Sequence, residues 1–512
     1  MRPTSRSSCW PRCWGWRLKV TRWAVSELPK GWEITQLAEV CRIVRGVTYN
    51  KAQASDAPEP GYIPVLRANN IQPPALVHED LVYVPESCVS PDQMIAAGDI
   101  VIAMSSGSRS VVGKAAQSVN QWTGSFGAFC GVLRPVSDVH AGFIGHFCRS
   151  KAYRDKTTEL AAGVNINNLK PSNFSEIDIP VPPLAEQARI AQALDGLLAQ
   201  VDTLKARLDA LPALIKRFRQ SVLSAAVSGD LSKKWREKNP TLTADAMLVD
   251  FVPLPDPPRY KTRSDAFIAG VCATAVGKPE QRIVESWTWL PLIQVARMES
   301  GHTPSKSSPN YWNGDIPWIG IKDANANHEK TIFKTLQQTN QSGLDNSAAR
   351  LLPEGTICVS RTASVGYVVK MGKPMSTSQD FVNWVPTDYV DAEWLKWLFV
   401  AEKESLYRFG KGTTHTTIYF PEWLSLHVAL PHIEEQRFIA QRVDELLKFA
   451  DILNTRLSDA RARVHALTQS ILAKAFRGEL VPQDPADEPA SVLLERIKAQ
   501  RAAAPKPKRG RK

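Results

Sequence analysis

The sequence predicts an α/β protein. Two mixed α/β domains are separated by two long helices that form an antiparallel coiled coil, and the whole is an internal repeat with pseudo-two-fold symmetry. Three observations predict this. A stretch of fourteen residues is written nearly twice, a 3.5-residue apolar period runs through each copy, and similar strand-like runs precede each copy.

The repeat comes first. "AEQARIAQALDGLL" occupies residues 185–198 and "EEQRFIAQRVDELL" residues 434–447. Glu186-Gln187 recurs 249 residues on as Glu435-Gln436, and the same offset carries Ile190 to Ile439, Leu194 to Val443, Leu197 to Leu446 and Ser221 to Ser470. It also aligns Gly229-Asp230-Leu231 with Gly478-Glu479-Leu480. Upstream the offset becomes 255, matching Trp32, Leu37, Val40 and Gly46 to Trp287, Leu292, Val295 and Gly301. The copies agree at their ends and differ in the middle.

The period identifies the repeated element. Ile190, Leu194, Leu197, Val201, Leu204, Leu208, Leu211, Ile215, Phe218 and Val222 step by 4 and 3 throughout. Ile439, Val443, Leu446, Ala450, Leu453, Leu457, Ala460, Val464, Leu467 and Ile471 repeat the steps. An apolar pair every seven residues over four heptads predicts a coiled-coil helix of roughly 45 residues, about 65 Å long. The predicted core is Ile190, Leu194, Leu197, Val201, Leu204 and Leu208 against Ile439, Val443, Leu446, Leu453 and Leu457. Antiparallel pairing makes the return of the chain short. Pro212 falls inside the first helix and is expected to kink it; the second copy has Arg461 there.

Strand-like runs lead into each helix: "GYIPVLRANNI" (61–71) with "GDIPWIGIKDA" (314–324), and "AGDIVIAMSS" (97–106) with "EGTICVSRTA" (354–363). Apolar stretches bounded by Gly, Pro, Asn and Ser predict mixed α/β domains with many loops. The strand ends carry Arg67, Asn69, Asn70, Ser105, Ser106, Ser108 and Arg109 in the first copy, and Lys322, Asp323, Asn325, Ser360, Arg361, Thr362 and Ser364 in the second. Arg, Asn, Ser and Thr are side chains that read base edges. A second polar segment precedes each helix: "GVNINNLK" (163–170), with Asn165, Asn167 and Lys170, and "GTTHTTIY" (412–419), with Thr414 and Thr416.

Composition bounds the partner. The 512 residues carry a formal net charge of +12, which fits double-stranded DNA. Eight scattered cysteines include no CxxC pair, so no zinc-ligand spacing exists, and free thiols predict a reducing cytoplasm. No run of about 18 apolar residues suggests a membrane span. Catalytic motifs are missing. No acidic residue is followed two positions later by Lys, "GSRSVVGKA" (107–115) has one residue too many for a phosphate loop, and "DPPR" (256–259) has Arg259 where a methyltransferase needs a stacking aromatic. The chain is therefore expected to be non-catalytic and to hold no metal.

These features resemble the specificity subunit of type I restriction-modification enzymes. The resemblance spans about residues 28–480. It rests on the duplicated layout, on "LPKGWEITQLAEV" (28–40), on "IPVPPLAEQARIAQALD" (179–195) with "VALPHIEEQRFIAQRVD" (428–444), and on "SVLSAAVSGDL" (221–231) with "SILAKAFRGEL" (470–480). It implies two target-recognition domains, each reading half of a bipartite, asymmetric DNA site, and a spacer that seats two methyltransferase subunits. It also implies separate restriction/translocase subunits. S-adenosylmethionine, ATP and magnesium are expected in those partners, and no cofactor in this chain.

The expected layout is an N-terminal extension (1–27, disordered), recognition domain 1 (28–183), spacer helix 1 (184–231) and a Pro-rich connector (232–285). Recognition domain 2 (286–432), spacer helix 2 (433–480) and a basic tail (481–512) follow. The rival readings are a recognition subunit acting with a methyltransferase alone, a coiled-coil scaffold for proteins, and an intrinsic nuclease.

Overall fold

The computed structural model describes residues 28–161, 167–257, 262–279, 281–362, 364–412 and 416–503. The expected N-terminal extension, the end of the basic tail, Arg259, Asn165 and Thr414 lie outside the described residues. Two compact units emerge. Unit 1 takes the chain up to Leu208 and again from Asp459, and unit 2 takes Asp209–Ser458.

In unit 1 a four-stranded antiparallel sheet runs in the order Cys41–Arg45, Cys130–Pro135, Ile100–Ala103, Ala115–Gln117. Its centre, "IVIA", is buried on both faces. Side chains alternate across a strand, so Ile100 and Ile102 join a core with Trp32, Phe143 and Phe147. Val101 and Ala103 face the other way, toward Leu66, Ile71 and Phe126. A mixed three-stranded sheet places Tyr62–Leu66 between Ser125–Phe126 (parallel) and Val82–Pro85 (antiparallel).

Unit 2 repeats the plan with one more strand. Its main sheet runs Ala296–Ser300, Phe381–Pro386, Ile357–Ser360, Val368–Met371, Thr331–Ile332. Ile357 and Val359 face a core with Trp384 and Trp423, while Cys358 faces Ile319 and Phe381. Trp312–Ile319 is the middle of a second sheet, between Gln337–Thr339 and Ser376–Thr377.

The stretch expected as a Pro-rich connector contributes to this unit. Thr274–Val276 pairs with Leu426–Leu430, the strand that leads into the second long helix. Buried Glu402 fixes the segment by accepting from Val271 N at 2.8 Å, Cys272 N at 2.8 Å and Ala273 N at 2.6 Å. The stretch expected as a tail likewise begins in unit 1 with a helix, Ala490–Ala503, that buries Ala490, Leu493 and Ile497.

The long helices are Leu184–Ser228, 45 residues, and Ile433–Phe476, 44 residues. Within each unit they run antiparallel. In unit 1 Glu186 accepts from Gln483 at 3.3 Å, while further along Leu208 O accepts from Arg461 at 3.3 Å. In unit 2 Arg219 pairs with Asp451 at 2.9 Å, and Glu435 accepts from Ser232 and Arg236, both at 2.7 Å. The first helix continues through Pro212 without interruption.

The twice-written Glu-Gln pair pins each helix to its unit. Gln187 bonds Pro182 O at 2.9 Å and His140 N at 3.0 Å; Gln436 bonds Pro431 O at 2.9 Å and Asp391 N at 2.8 Å.

The predicted seam needs correction. Leu197 is 37% and Leu204 43% exposed, whereas Leu198 is buried. Leu446 and Leu453 are half-buried. Ile190, Leu194, Leu198 and Val201 step by 4, 4 and 3 because this part packs on a globular surface and keeps the 3.6-residue period of a straight helix. Further on, one row per heptad stays covered: Ile215 and Val222 in the first helix, Ala450, Leu457 and Val464 in the second.

Candidate nucleic-acid interface

In unit 1 three segments meet beyond the end of Ile100–Ala103. Ser105–Ser106 pairs antiparallel with Asn167–Asn168, and Leu169 N donates to Met104 O at 2.7 Å. The turn before Cys130–Pro135 supplies the third segment: Phe129 O accepts from Met104 N at 2.8 Å and Ser105 N at 3.1 Å.

Unit 2 assembles the same three segments. Ile418 N donates to Arg361 O at 2.9 Å, Thr362 and Thr417 share a hydroxyl hydrogen bond of 2.9 Å, and Arg361 N donates to Asp380 O at 2.8 Å. The polar strand end and the polar segment before each helix, singled out separately in the sequence, are thus brought together in both units. The turn was missed by sequence reasoning. Its only signal is indirect: the repeated glycines Gly46 and Gly301 pack on it. A Cβ at Gly46 would lie 2.1 Å from Gly127 O, and one at Gly301 1.9 Å from Ser378 O.

The predicted contact residues divide by exposure. Arg67, Asn69, Ser108, Arg109, Lys170, Lys322 and Asn325 are exposed, and Ser105, Ser106, Arg361, Thr362, Ser364 and Thr416 half-buried. Arg67 reaches Asp80 O at 2.6 Å. Arg361 stacks over Phe420 at 4.7 Å and donates to Gln379 O at 3.2 Å, so it braces the turn as well as facing outward.

Four predicted residues have a different role, because their side chains are buried and already bonded. Asn70 accepts from Arg67 N at 2.8 Å and donates to Val77 O and Glu79 O at 3.0 and 2.6 Å. Asp323, in the equivalent place, accepts from Gly320 N at 3.0 Å and Leu336 N at 2.7 Å. Ser360 donates to Ser364 O and accepts from Tyr367 N at 2.8 Å. Asn167 donates to Gly107 O at 3.3 Å, which holds the 105–109 loop in place. These groups shape the loops that present their neighbours.

Each unit also ties its helix to the domain by one aspartate. Asp195 meets His146 Nε2 at 2.8 Å, and its repeat equivalent Asp444 accepts from Trp397 Nε1 at 2.8 Å. Burial holds His146 below the usual histidine range, against the pull of Asp195. Burial pushes the free thiols of Cys41, Cys148 and Cys358 up. Among the described residues no cluster of His, Cys, Asp and Glu could hold a metal ion, and no helix is long and apolar enough to cross a membrane.

Two units that share one sheet plan and one three-segment polar frame define a modular binding protein. Residues 29–213 and 285–460 match the type I restriction modification DNA specificity domain. The chain is 37% identical to the type I restriction enzyme EcoKI specificity subunit of Escherichia coli, over 96% of this chain and 99% of that one. It is 36% identical to the StySPI specificity subunit of Salmonella potsdam, over 95% and 99%. The fold is similar to the HsdS subunit from Thermoanaerobacter tengcongensis, with a TM-score of 0.55 at 18% identity, covering 88% of this chain and 98% of that one. The chain belongs to the family of type I restriction-modification specificity subunits, and its place there is DNA recognition, without catalysis of its own.

Proposed function

We propose that this chain reads a bipartite, asymmetric double-stranded DNA site, one half-site per unit, and carries two methyltransferase subunits and the restriction/translocase subunits to it in the cytoplasm. The observation that carries this reading is the shared three-segment frame with different side chains: Ser105 and Phe129 in unit 1 stand where Thr362 and Asp380 stand in unit 2. One backbone frame with two sets of side chains makes two readers of different sequence. Arg109, Lys170 and Lys322 add positive charge for phosphate contact.

Large apolar side chains left outside the helix seam support a seat for partner subunits. Leu197, Leu204 and Leu467 in unit 1, and Leu211, Leu214, Phe449 and Ile452 in unit 2, are 37–52% exposed. Apolar rows of this kind mark surfaces that another helix covers. S-adenosylmethionine, ATP and magnesium belong, on this reading, to the partner subunits.

The test is an exchange of residues 286–411 for the corresponding region of a relative, in the assembled methyltransferase complex. Methylome sequencing is expected to show one half-site changed and the other kept. A change in both half-sites, or none, overturns the modular reading.

A further inference from the structure

The turn before Cys130–Pro135 in unit 1 and before Phe381–Pro386 in unit 2 occupies the same place, yet it presents opposite chemistry. In unit 1 it carries Phe129, 70% exposed, and in unit 2 Asp380, half-buried. Each turn is fixed at three points. Its residue-127 or residue-378 amide donates to the preceding strand, Gly127 N to Leu66 O at 2.9 Å and Ser378 N to Ile319 O at 3.0 Å. The carbonyl of Phe129 or Asp380 accepts from the strand end at 2.8 Å in both units. The turn also lies against Gly46 or Gly301, where no side chain would fit.

Single exposed apolar side chains are ordinary on protein surfaces. Phe129 differs because its backbone is immobilised among polar groups: its own carbonyl holds Met104 and Ser105, and Ser106 and Asn168 lie in the paired strands beside it. A large aromatic held out of such a polar frame has no aromatic partner there among the described residues, but the apolar methyl group of thymine suits it. The acidic counterpart is equally telling. A carboxylate beside DNA is repelled by phosphates, and the group on a base edge that it suits is an amino donor such as cytosine N4. Ser378 Oγ already donates to Asp380 Oδ2 at 2.9 Å, which orients the carboxylate.

We propose that Phe129 and Asp380 are a pair of equivalent specificity-determining residues: Phe129 contacts a thymine methyl in one half-site, and Asp380 accepts from a cytosine amino group in the other. This rests on the DNA-reading function proposed above.

The experiment uses the chain assembled with its methyltransferase subunits and DNA carrying the methylated motif. Thymines are replaced singly by uracil, which lacks the methyl, and each base pair is varied in turn. The wild-type complex is expected to lose affinity several-fold at one thymine. Phe129→Ala is expected to weaken binding about tenfold and to abolish that thymine–uracil difference, leaving the other half-site unaffected. Asp380→Asn keeps the Ser378 bond but adds a donor, and is expected to relax the cytosine preference in the other half-site only. Phe129→Ala complexes that assemble and bind with wild-type affinity and motif overturn the proposal for Phe129, as does an identical uracil penalty in both proteins. An unchanged motif in Asp380→Asn overturns it for Asp380. A wild-type complex with no sequence-specific binding refutes the proposed function itself, and this pair with it.

Discussion

The two units solve the same problems with different chemistry. Each long helix must be fixed to its domain at the repeated glutamate, and in unit 2 that glutamate is an ion-pair partner. Glu435 is fully buried and takes Arg236 Nη1 and Ser232 Oγ, both at 2.7 Å. In unit 1 the hydrogen-bond partners of Glu186 among the described residues are neutral, Trp32 Nε1 at 3.1 Å and Gln483 Nε2 at 3.3 Å, and the Arg189 charge acts on it only through space. Desolvation accordingly raises the Glu186 carboxyl pKa. A repeat copied in sequence has thus diverged energetically: the burial of the anchoring carboxylate is kept while its partners are not.

The largest expected effect breaks that comparison directly. Glu435→Ala leaves Arg236 without its carboxylate, and removal of one member of a buried pair costs about 3–5 kcal/mol. Glu186→Ala orphans one neutral donor, Trp32 Nε1, at about 1–3 kcal/mol, since Gln483 Nε2 keeps Gly478 O at 2.6 Å. Thermal unfolding of the two variants is expected to rank them in that order. Glu186→Gln, which keeps an acceptor and loses the charge, is expected to be near neutral. Equal losses for the two alanine variants would show that the anchors are not electrostatically different.

A second contrast concerns pH. The Asp195 anchor uses a histidine and the Asp444 anchor a tryptophan. His146 faces Asp195 from the helix and Arg149 and His140 from its own domain, and burial lowers its pKa below the ordinary value. The unfolded chain therefore takes up the proton first, near pH 6.5. The stability His146 contributes is full above about 6.5 and falls as pH drops from there toward the lowered folded value. His328 and His427 shift the same way in unit 2, so the wild-type loss is shared. His146→Gln retains a donor for Asp195 and does not titrate. Its melting temperature is expected to fall less between pH 7 and 5.5 than that of the wild type. Parallel curves would remove His146 from the account.

The smallest effect concerns the helices themselves. Pro212 has no N–H to give to Leu208 O. Arg461, which the 249-residue offset makes the counterpart of Pro212, donates Nη2 to that carbonyl at 3.3 Å. This substitute bond accounts for a helix that runs on through a proline. Arg461→Ala is expected to cost about 1 kcal/mol, and less in a Pro212→Ala background, where the backbone supplies the bond. A double-mutant cycle in chemical denaturation measures the difference; zero coupling would leave Arg461 with no part in tolerating the proline.

The sequence by itself determined the duplication, the two long helices and the α/β character of each copy. These are written in local periods and in residues matched at fixed offsets, and a helix or a strand expresses such patterns wherever it lies. Even Gly46 and Gly301 were visible as a matched pair, though not what they touch. Tertiary structure decided which side chain of a polar run faces outward. Asn70, Asp323 and Ser360 look like base readers in the sequence, yet each is consumed by backbone groups within about a dozen residues or fewer, because a buried polar atom must be bonded. Leu198 displaced Leu197 because the start of the helix packs into the unit 1 core, with Phe143, Phe147 and Leu472, rather than along a two-helix seam alone. The meeting of residues 104–106, 128–129 and 167–169 depends on hydrogen bonds between segments far apart in the chain. No local period encodes such a meeting; the sheet order creates it, and so Phe129 and Asp380 came to light only in the folded chain.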